Sequence, residues 1–347
     1  MKIMVAGDCL HYIYEPSAIE ALCKLGHEVA PVSWLPHFKG RMGRVEKRFG
    51  FVGPASRRAR RELENRIAVE KPDVVLLWRP RNFPTIDAGG AKVVVYNNDS
   101  PFPSGQSRWQ RFSRSFEWRN FLRIARQADL NLVYRESDRS TYERCGIFDA
   151  QVLLPYYIDW LHRPAAGPKD ESLGFVFIGH YEPDGRHEVL AEIRAAGLKV
   201  SLFGDHSWHQ CRDPRLADLV ASVRPVYGDD YVSTLHRSRV ALSFFSKRNN
   251  DVYTRRSFEI PGCGIAMLSE QSAVLERILP AGSAACYFNS PMAAVENARR
   301  LAGDDTWCRE IAQGGRRVVE GGHGILARMQ EMCELIARSG RSAISRN

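Results

Sequence analysis

The amino-acid sequence predicts an α/β protein made of two consecutive domains, each with a doubly wound, Rossmann-like parallel sheet. Short apolar segments rich in β-branched residues alternate with helical segments, which is the pattern of parallel strands joined by crossover helices. The alternation starts again after residues 163–174, "RPAAGPKDESLG", whose Pro, Gly and charge content is typical of a linker. The length of 347 residues also suits two hydrophobic cores better than one.

The first domain is predicted over residues 1–162 and begins with the buried strand "KIMVAG". A helix that Gly26 ends and a second strand follow, and a basic segment from residue 37 then interrupts the alternation. The predicted strands are 2–7, 28–33, 72–79, 91–99, 128–136 and 150–156, and the predicted helices are 16–26, 55–70, 107–127 and 137–146.

The second domain is predicted over residues 175–322, with its first strand at "FVFIGH". Its predicted strands are 175–180, 198–205, 239–245, 264–270 and 284–288, with a helix at 186–197 and helical sequence from 304 to 338. Residues 323–347 are expected to form a C-terminal helix and tail that crosses back to the first domain. Ligands of open α/β sheets bind beyond the carboxyl ends of the strands, so we expect a site in a central cleft that both domains face.

Several classes of protein are excluded by what the sequence lacks. No run of about 18 apolar residues predicts a transmembrane helix, and "MKIMVAGD" does not resemble a signal peptide. The eight cysteines are scattered singly, which argues against a zinc site or a disulfide framework and favours a cytoplasmic protein. The motifs of P-loop NTPases, zincins and α/β-hydrolases are absent. No D-x-D pair occurs, so no metal or other cofactor is expected.

Positive charge is concentrated in the N-terminal half of a chain whose net charge is +9. Residues 39–61 carry nine Lys and Arg against the single acid Glu46, and residues 108–126 carry six Arg against Glu117. Such asymmetry indicates an anionic partner: nucleic acid, a membrane surface or a phosphorylated acceptor. A solvated basic face is the alternative. The predicted acceptor-facing or surface residues are Arg57, Arg58, Arg108, Trp109 and Arg111.

The segment "RVALSFFSKRNNDVYTRRSFEIPGCGIAMLSE", residues 239–270, combines a buried strand, a polar loop, a short helix and the next strand. Ser257 is the predicted N-cap of the helix, with Pro261 in or near its first turn. The loop and the helix N-terminus therefore lie on the ligand-facing edge of the second sheet.

Acids and arginines alternate in this loop. Asp251 precedes Glu259 by eight residues, and Arg255 and Arg256 lie between them. A helix N-terminus and arginines suit phosphate, while Glu259 can accept hydrogen bonds from two hydroxyl groups such as those of a ribose. Asp251 could meet another hydroxylated part of the same ligand. The alternative is an ordinary helix start, in which Glu259 only complements the helix dipole.

The same stretch resembles the E-x7-E motif of GT-B fold glycosyltransferases, with Asp251 and Glu259 in the two acidic positions. More closely, "DVYTRRSFEIPGCGIAMLSE" is similar to the Y-T-x-R-x-F-E-x-x-A-C-G motif of CgeB/YkvP-like spore-protein glycosyltransferases. "FVFIGHYEPDGR" and "GHGILAR" resemble weaker motifs of that family. The likeness covers roughly residues 170–330 and is only topological over 1–160.

The resemblance implies a GT-B fold and a nucleotide-sugar donor. Glu259 would bind the ribose and Asp251 the donor sugar, although Asp is shorter than the family's Glu. Arg255 or Arg256 would neutralise the diphosphate together with Lys247. The backbone at the end of the first strand of the second domain would approach the phosphates. The full implied donor-binding set is Gly179, His180, Arg186, Lys247, Asp251, Tyr253, Thr254, Arg255, Arg256 and Glu259.

The acceptor is expected to meet loops of the N-terminal half. An inverting transferase needs a general base there, and Asp8, His11 and Asp99 are the candidates. A retaining enzyme does not need this base, because the leaving phosphate can take the proton, and the E-x7-E likeness favours retention.

The sequence therefore predicts a cytoplasmic, metal-independent glycosyltransferase, in contact with the inner face of a membrane. It would move a sugar from a nucleotide-sugar to a hydroxyl of a glycan, a lipid-linked molecule or another acceptor. Two alternatives stay open. One is a nucleic-acid-binding protein, or a transferase that glycosylates nucleic acid, which would use the basic half. The other is a non-catalytic coat or scaffold relative.

Overall fold

The computed structural model describes residues 1–8, 13–81, 83–100, 108–167 and 170–339, and the side chains of all these except 108–117. The chain divides into two compact units. The first comprises Met1–Leu154 and Ile325–Asn347, and the second comprises Pro155–Gly324. These bounds lie near the predicted domain bounds at 162 and 323 without coinciding with them. Each unit has its own parallel sheet and its own core.

The first unit contains six parallel strands in the order β2-β1-β3-β4-β5-β6. The strands are β1 (Lys2–Gly7), β2 (Glu28–Ser33), β3 (Val74–Trp78), β4 (Lys92–Asn97), β5 (Leu130–Val133) and β6 (Ala150–Val152). The helices before the second unit are α1 (Tyr14–Lys24), α2 (Leu35–Phe38), α3 (Arg41–Phe49), α4 (Pro54–Glu70), α5 (Arg108–Gln127) and α6 (Glu136–Arg144). Every residue of β3 is buried, as expected for a central parallel strand covered on both faces.

Glu46 joins α3 to the start of α4. Its buried carboxylate accepts backbone N–H bonds from Ala55 at 2.8 Å and Ser56 at 2.9 Å, and a 2.8 Å bond from the Ser56 hydroxyl. A third backbone bond comes from Gly53. Burial raises the pKa of Glu46, but these hydrogen bonds outweigh burial and leave the pKa below its ordinary value. The only acid of the 39–61 window therefore caps a helix and does not face solvent.

The second unit contains five parallel strands in the order β11-β10-β9-β7-β8. The strands are β7 (Gly174–Ile178), β8 (Val200–Phe203), β9 (Ser238–Ser243), β10 (Ala266–Glu270) and β11 (Cys286–Phe288). The helices are α7 (Arg186–Ala195), α8 (Ala217–Ala221), α9 (Gly228–His236), α10 (Arg256–Gly262), α11 (Ala273–Ile278), α12 (Pro291–Gly303) and α13 (Asp305–Glu320). The strand order reverses between β7 and β9, so the crevice at their carboxyl ends is the ligand position of such a sheet.

The structure contains helices that were not predicted, namely α2, α3, α8, α9, α11 and α12, and it divides one predicted helical segment. The basic segment before α4 contains the separate nine-residue helix α3. The helical sequence predicted from 304 to 338 is two helices, because α13 ends at Glu320 and α14 (Ile325–Arg338) belongs to the first unit. No helix among the described residues is both long and apolar enough to cross a membrane.

Candidate functional site

Loops from four neighbouring strands meet at the carboxyl edge of the second sheet. Trp208, from the loop after β8, donates its indole N–H to the Gly179 carbonyl after β7 at 2.8 Å. Glu182, also after β7, is hydrogen-bonded to Ser246 after β9. Lys247 pairs with Glu270 at the end of β10. The contacts therefore build one continuous rim around the point where the strand order reverses.

Arg256, the first residue of α10, lies against the backbone of Gly179. A Cβ atom placed on Gly179 would be 3.2 Å from Arg256 Nη2 and 2.7 Å from Phe177 Cζ. Glycine therefore leaves the strand end open to the guanidinium. The Gly179 backbone, which carries no side chain, thus lies beside an arginine and the start of a helix. This combination is suited to binding phosphate.

Two predictions about α10 were wrong, namely its N-cap and the position of its proline. Arg255 is the N-cap, and Ser257 is the buried second residue of the helix, so Ser257 is not the N-cap. Its hydroxyl instead accepts a 3.2 Å bond from the Thr254 N–H. Pro261 is the sixth of seven residues and lies in the last turn, not the first. Proline lacks the N–H that would bond to the Ser257 carbonyl, and the helix ends one residue later.

Glu259 is 2% exposed and lies in the first turn of α10. Its charge acts on the buried His162, whose Nδ1 accepts the Ile158 N–H at 2.9 Å. Burial lowers the pKa of His162 below its ordinary value, the Glu259 carboxylate opposes this, and the Arg255 guanidinium reinforces it. His162 is therefore neutral at physiological pH, with its hydrogen on Nε2.

Arg255 packs its guanidinium over the ring of Tyr156, with Cζ 5.0 Å from the centroid. This contact fixes the arginine at the helix start by a cation–π interaction. Tyr156 and His162 come from the segment that opens the second unit, about a hundred residues before α10. Neither was among the predicted site residues, and no local motif identifies them.

The loop after β7 is held by Arg186, which is buried. Its Nε and Nη2 donate to Asp184 at 2.8 and 2.6 Å, and its Nη1 donates to the His180 carbonyl at 2.8 Å. Its guanidinium is thus directed to the protein and orders the loop that carries His180. The His180 ring lies 2.7 Å from Glu182, whose pKa is lowered to about 2 because hydrogen bonds from His180 and Ser246 and the Arg186 charge outweigh burial.

The predicted sugar-binding residue Asp251 closes the loop after β9. Its backbone N–H bonds to the Ser246 carbonyl at 3.0 Å, and its Oδ2 accepts the Ser246 N–H at 3.4 Å. Tyr253 is buried, and its ring centroid lies 6.4 Å from that of Phe258 in an edge-to-face arrangement. The Thr254 hydroxyl oxygen is buried and has no hydrogen-bond partner among the described residues. Such an atom at a loop edge suits a ligand hydrogen bond.

The second unit was compared with known protein families to identify its class of protein. Residues 186–334, which contain α10 and most of the rim, match the family described as glycosyl transferase-like. Residues 186–334 therefore match a glycosyltransferase family domain. No curated protein matches the chain by sequence.

Solved structures share the fold of this chain along nearly its whole length. Sucrose-phosphate synthase from Thermosynechococcus elongatus is 13% identical, with a TM-score of 0.71 and coverage of 97% of this chain and 98% of that one. HepE from Anabaena, in complex with UDP-glucose, is 9% identical, with a TM-score of 0.63 and coverage of 97% and 99%. A glycosyltransferase from Rickettsia africae is 10% identical, with a TM-score of 0.61 and coverage of 98% and 99%.

These likenesses confirm the predicted fold class, two parallel-sheet Rossmann-like domains matching GT-B structures. The prediction of a glycosyltransferase is confirmed for the family domain and the fold. The narrower likeness to the CgeB/YkvP-like proteins stays a prediction. So do the roles of the individual donor-binding residues.

Both described base candidates of the first unit are bound by basic side chains. Asp8, after β1, accepts bonds from Trp34 Nε1 and Lys47 Nζ, each at 2.7 Å. Asp99, after β4, accepts a 2.7 Å bond from Arg79 Nη2 and a second bond from Arg81 Nη2. The third candidate, His11, lies outside the described residues.

The predicted surface residues are only partly described. Arg57 and Arg58 are exposed on α4. Arg108, Trp109 and Arg111 lie on α5, in the part whose side chains are not described. Within the described residues no three His, Cys, Asp or Glu side chains are grouped so that they could hold a metal ion.

Proposed function

We propose that this glycosyltransferase moves a sugar from a nucleotide-sugar to an acceptor hydroxyl, without metal and with retention of anomeric configuration. The observation that carries the proposal is the position of Arg256, the first residue of α10, against the Gly179 backbone at the strand reversal, with Glu259 in the first turn of the same helix. The structure of HepE contains UDP-glucose, which supports a UDP-sugar as the first donor to test. The narrower CgeB/YkvP-like assignment belongs to the same proposal and rests on the motif at 251–264.

In the proposed complex, Glu259 accepts hydrogen bonds from the two ribose hydroxyls. The diphosphate lies at the Gly179 backbone, where Arg256, the first residue of α10, is already positioned. Arg255 and Lys247 add positive charge, so these side chains would neutralise the diphosphate in place of a metal ion. The absence of a D-x-D pair supports the same conclusion.

The hydrogen bonds that Asp8 and Asp99 accept favour retention of the anomeric configuration. Asp8 and Asp99 each already accept hydrogen bonds from basic side chains, so neither is an open proton acceptor. In the proposed step, the bond from the anomeric carbon to the diphosphate oxygen breaks and a bond to the acceptor oxygen forms on the same face. The acceptor proton goes to the departing phosphate oxygen.

A donor panel tests the proposal. Thermal unfolding is followed with UDP-, GDP-, dTDP- and ADP-sugars, each with a divalent metal and with a chelator. We expect one nucleotide class to raise Tm equally under both conditions, and slow release of free sugar with the donor's anomeric configuration. Stabilisation that requires the metal would contradict metal independence.

Product analysis separates this proposal from another activity named among the similar structures. A putative UDP-N-acetylglucosamine 2-epimerase from Listeria monocytogenes shares the fold with a TM-score of 0.56 and 14% identity. Conversion of a nucleotide-sugar to its epimer, without sugar transfer or hydrolysis, would refute transferase activity.

A further inference from the structure

Helix α3 exposes apolar side chains on its outer face. Met42 is 59% exposed, Val45 36% and Phe49 51%. Their spacing of three and then four residues aligns them in one stripe along the helix. The inner face carries Gly43, where a Cβ would be 2.6 Å from Phe38 Cα, and the buried cap Glu46. The helix is therefore anchored by its small and acidic residues and presents its larger apolar residues outward.

Exposed basic side chains occur on α3 itself and on the next helix. Arg41, Arg44 and Arg48 are exposed on the same helix, and Arg57, Arg58 and Arg61 are exposed on α4. Among the described residues no carboxylate forms an ion pair with any of these six. Glu46, the only acid between residues 39 and 61, is buried in the helix cap. The surface thus combines an apolar centre with uncompensated positive charge.

Helix α3 is also linked to the carboxyl edge of the first sheet. Lys47, on α3, donates to Asp8 directly after β1 at 2.7 Å. Asn120 of α5 donates to the Gly50 carbonyl, the C-cap of α3, at 2.9 Å. A surface that engages α3 is therefore close to the edge at which sheets of this kind bind their ligands.

We propose that α3 lies in the interface of an anionic lipid bilayer, with Met42, Val45 and Phe49 inserted below the headgroups. Arg41, Arg44 and Arg48 would contact the lipid phosphates beside them. Helices that lie on membranes combine an apolar stripe with flanking basic residues in this way. Nucleic acid is the less suitable occupant, because its phosphate backbone offers nothing to a central apolar stripe. The proposal does not depend on the proposed sugar transfer.

Vesicle sedimentation with the full chain tests the proposal. The probes are vesicles of phosphatidylcholine alone and of phosphatidylcholine mixed with phosphatidylglycerol. We expect binding to the anionic vesicles only, weakened by salt. Phe49→Ser should lower the partition coefficient about tenfold, since an apolar side chain no longer leaves water. Arg41→Glu and Arg48→Glu should each lower it about fivefold or more.

Matched variants keep the test decisive. Phe148→Ser removes a phenylalanine that is 71% exposed outside the basic surface, and Arg299→Glu reverses an exposed arginine of α12. Both should bind vesicles like the unmodified protein. Brominated lipids should quench the fluorescence of the tryptophan introduced by Phe49→Trp but not of the one introduced by Phe148→Trp. Such quenching directly reports insertion of the side chain into the bilayer.

Three outcomes would overturn the proposal. The first is that the unmodified chain does not bind vesicles. The second is that Phe49→Ser and Phe148→Ser lose vesicle binding equally. The third is that the chain binds a DNA or RNA duplex through Arg48 and does not bind vesicles. If a variant melts at a lower temperature, its milder form, Phe49→Thr or Arg48→Gln, replaces it. Loss of donor binding with vesicle binding intact would affect the proposed function alone.

Discussion

Replacing Glu259 with Gln tests the proposed ribose contact most directly. The side chain is 2% exposed, so its carboxylate is shielded from water. A hydrogen bond to a charged group contributes about 1.5–3 kcal/mol. Two such bonds to a ribose diol sum to at least about 3 kcal/mol, which corresponds to about 100-fold in Kd. Glutamine keeps the volume and one acceptor oxygen, so we expect about a tenfold weaker Kd for Glu259→Gln and about 100-fold for Glu259→Ala.

The assay is calorimetric titration of the nucleotide and the nucleotide-sugar identified by the donor panel. Glu310→Gln is the matched control, because Glu310 is exposed on α13, and its Kd should equal that of the unmodified protein. Glu259→Asp keeps the charge and extends the series if the uncharged variants unfold. An unchanged Kd in a folded Glu259→Gln protein would refute the ribose assignment. The His162 pKa, which the Glu259 carboxylate raises, should fall further in the variant and can be followed by NMR.

Three other substitutions have defined expectations. Gly179→Ala places a Cβ 2.7 Å from Phe177 Cζ, so we expect a loss of about 1–3 kcal/mol in unfolding free energy and weaker binding of UDP, both measurable on one sample. Arg186→Lys loses the paired bonds to Asp184, which should lower Tm; an unchanged Tm would contradict the loop-ordering role. Glu46→Gln should cost about 1–3 kcal/mol at pH 7. Because the folded pKa of Glu46 is lowered, that difference should begin to shrink in urea titrations below the ordinary value of 4.5 and be lost as the pH falls through the folded pKa.

The strands were predictable because buried parallel strands are continuous apolar runs. The segments "VVLLW" of β3 and "VALS" of β9 are buried along their length. The residues around Glu259 were predictable for a different reason, since one short segment supplies the helix start, both arginines and both acids. Their contacts were not predictable, because Tyr156 and His162 reach α10 from the far end of the second unit's sequence.

Helix α3 was not predicted because its apolar residues lie on the outer face of the helix and not on the face toward the core. An amphipathic helix is ordinarily identified by apolar residues that face the core. In "RMGRVEKRF" the apolar residues face outward, while a glycine and a capping glutamate face inward. The position of Pro261 was wrong for a related reason. The rule that places proline in the first turn assumes a helix long enough to have an interior, and α10 has seven residues.

The return of α14 to the first unit has a consequence for the order of folding. This helix packs against α1, and the Lys92 ammonium donates to the Ile336 carbonyl at 2.9 Å. On the ribosome the second unit, residues 155–324, is synthesised as one uninterrupted piece and can close before α14 emerges. The strands of the first unit are synthesised earlier. The surface of α1 that α14 covers stays exposed during that time. Chaperone contact during synthesis should therefore concentrate on the first unit and be released when residues 325–338 appear.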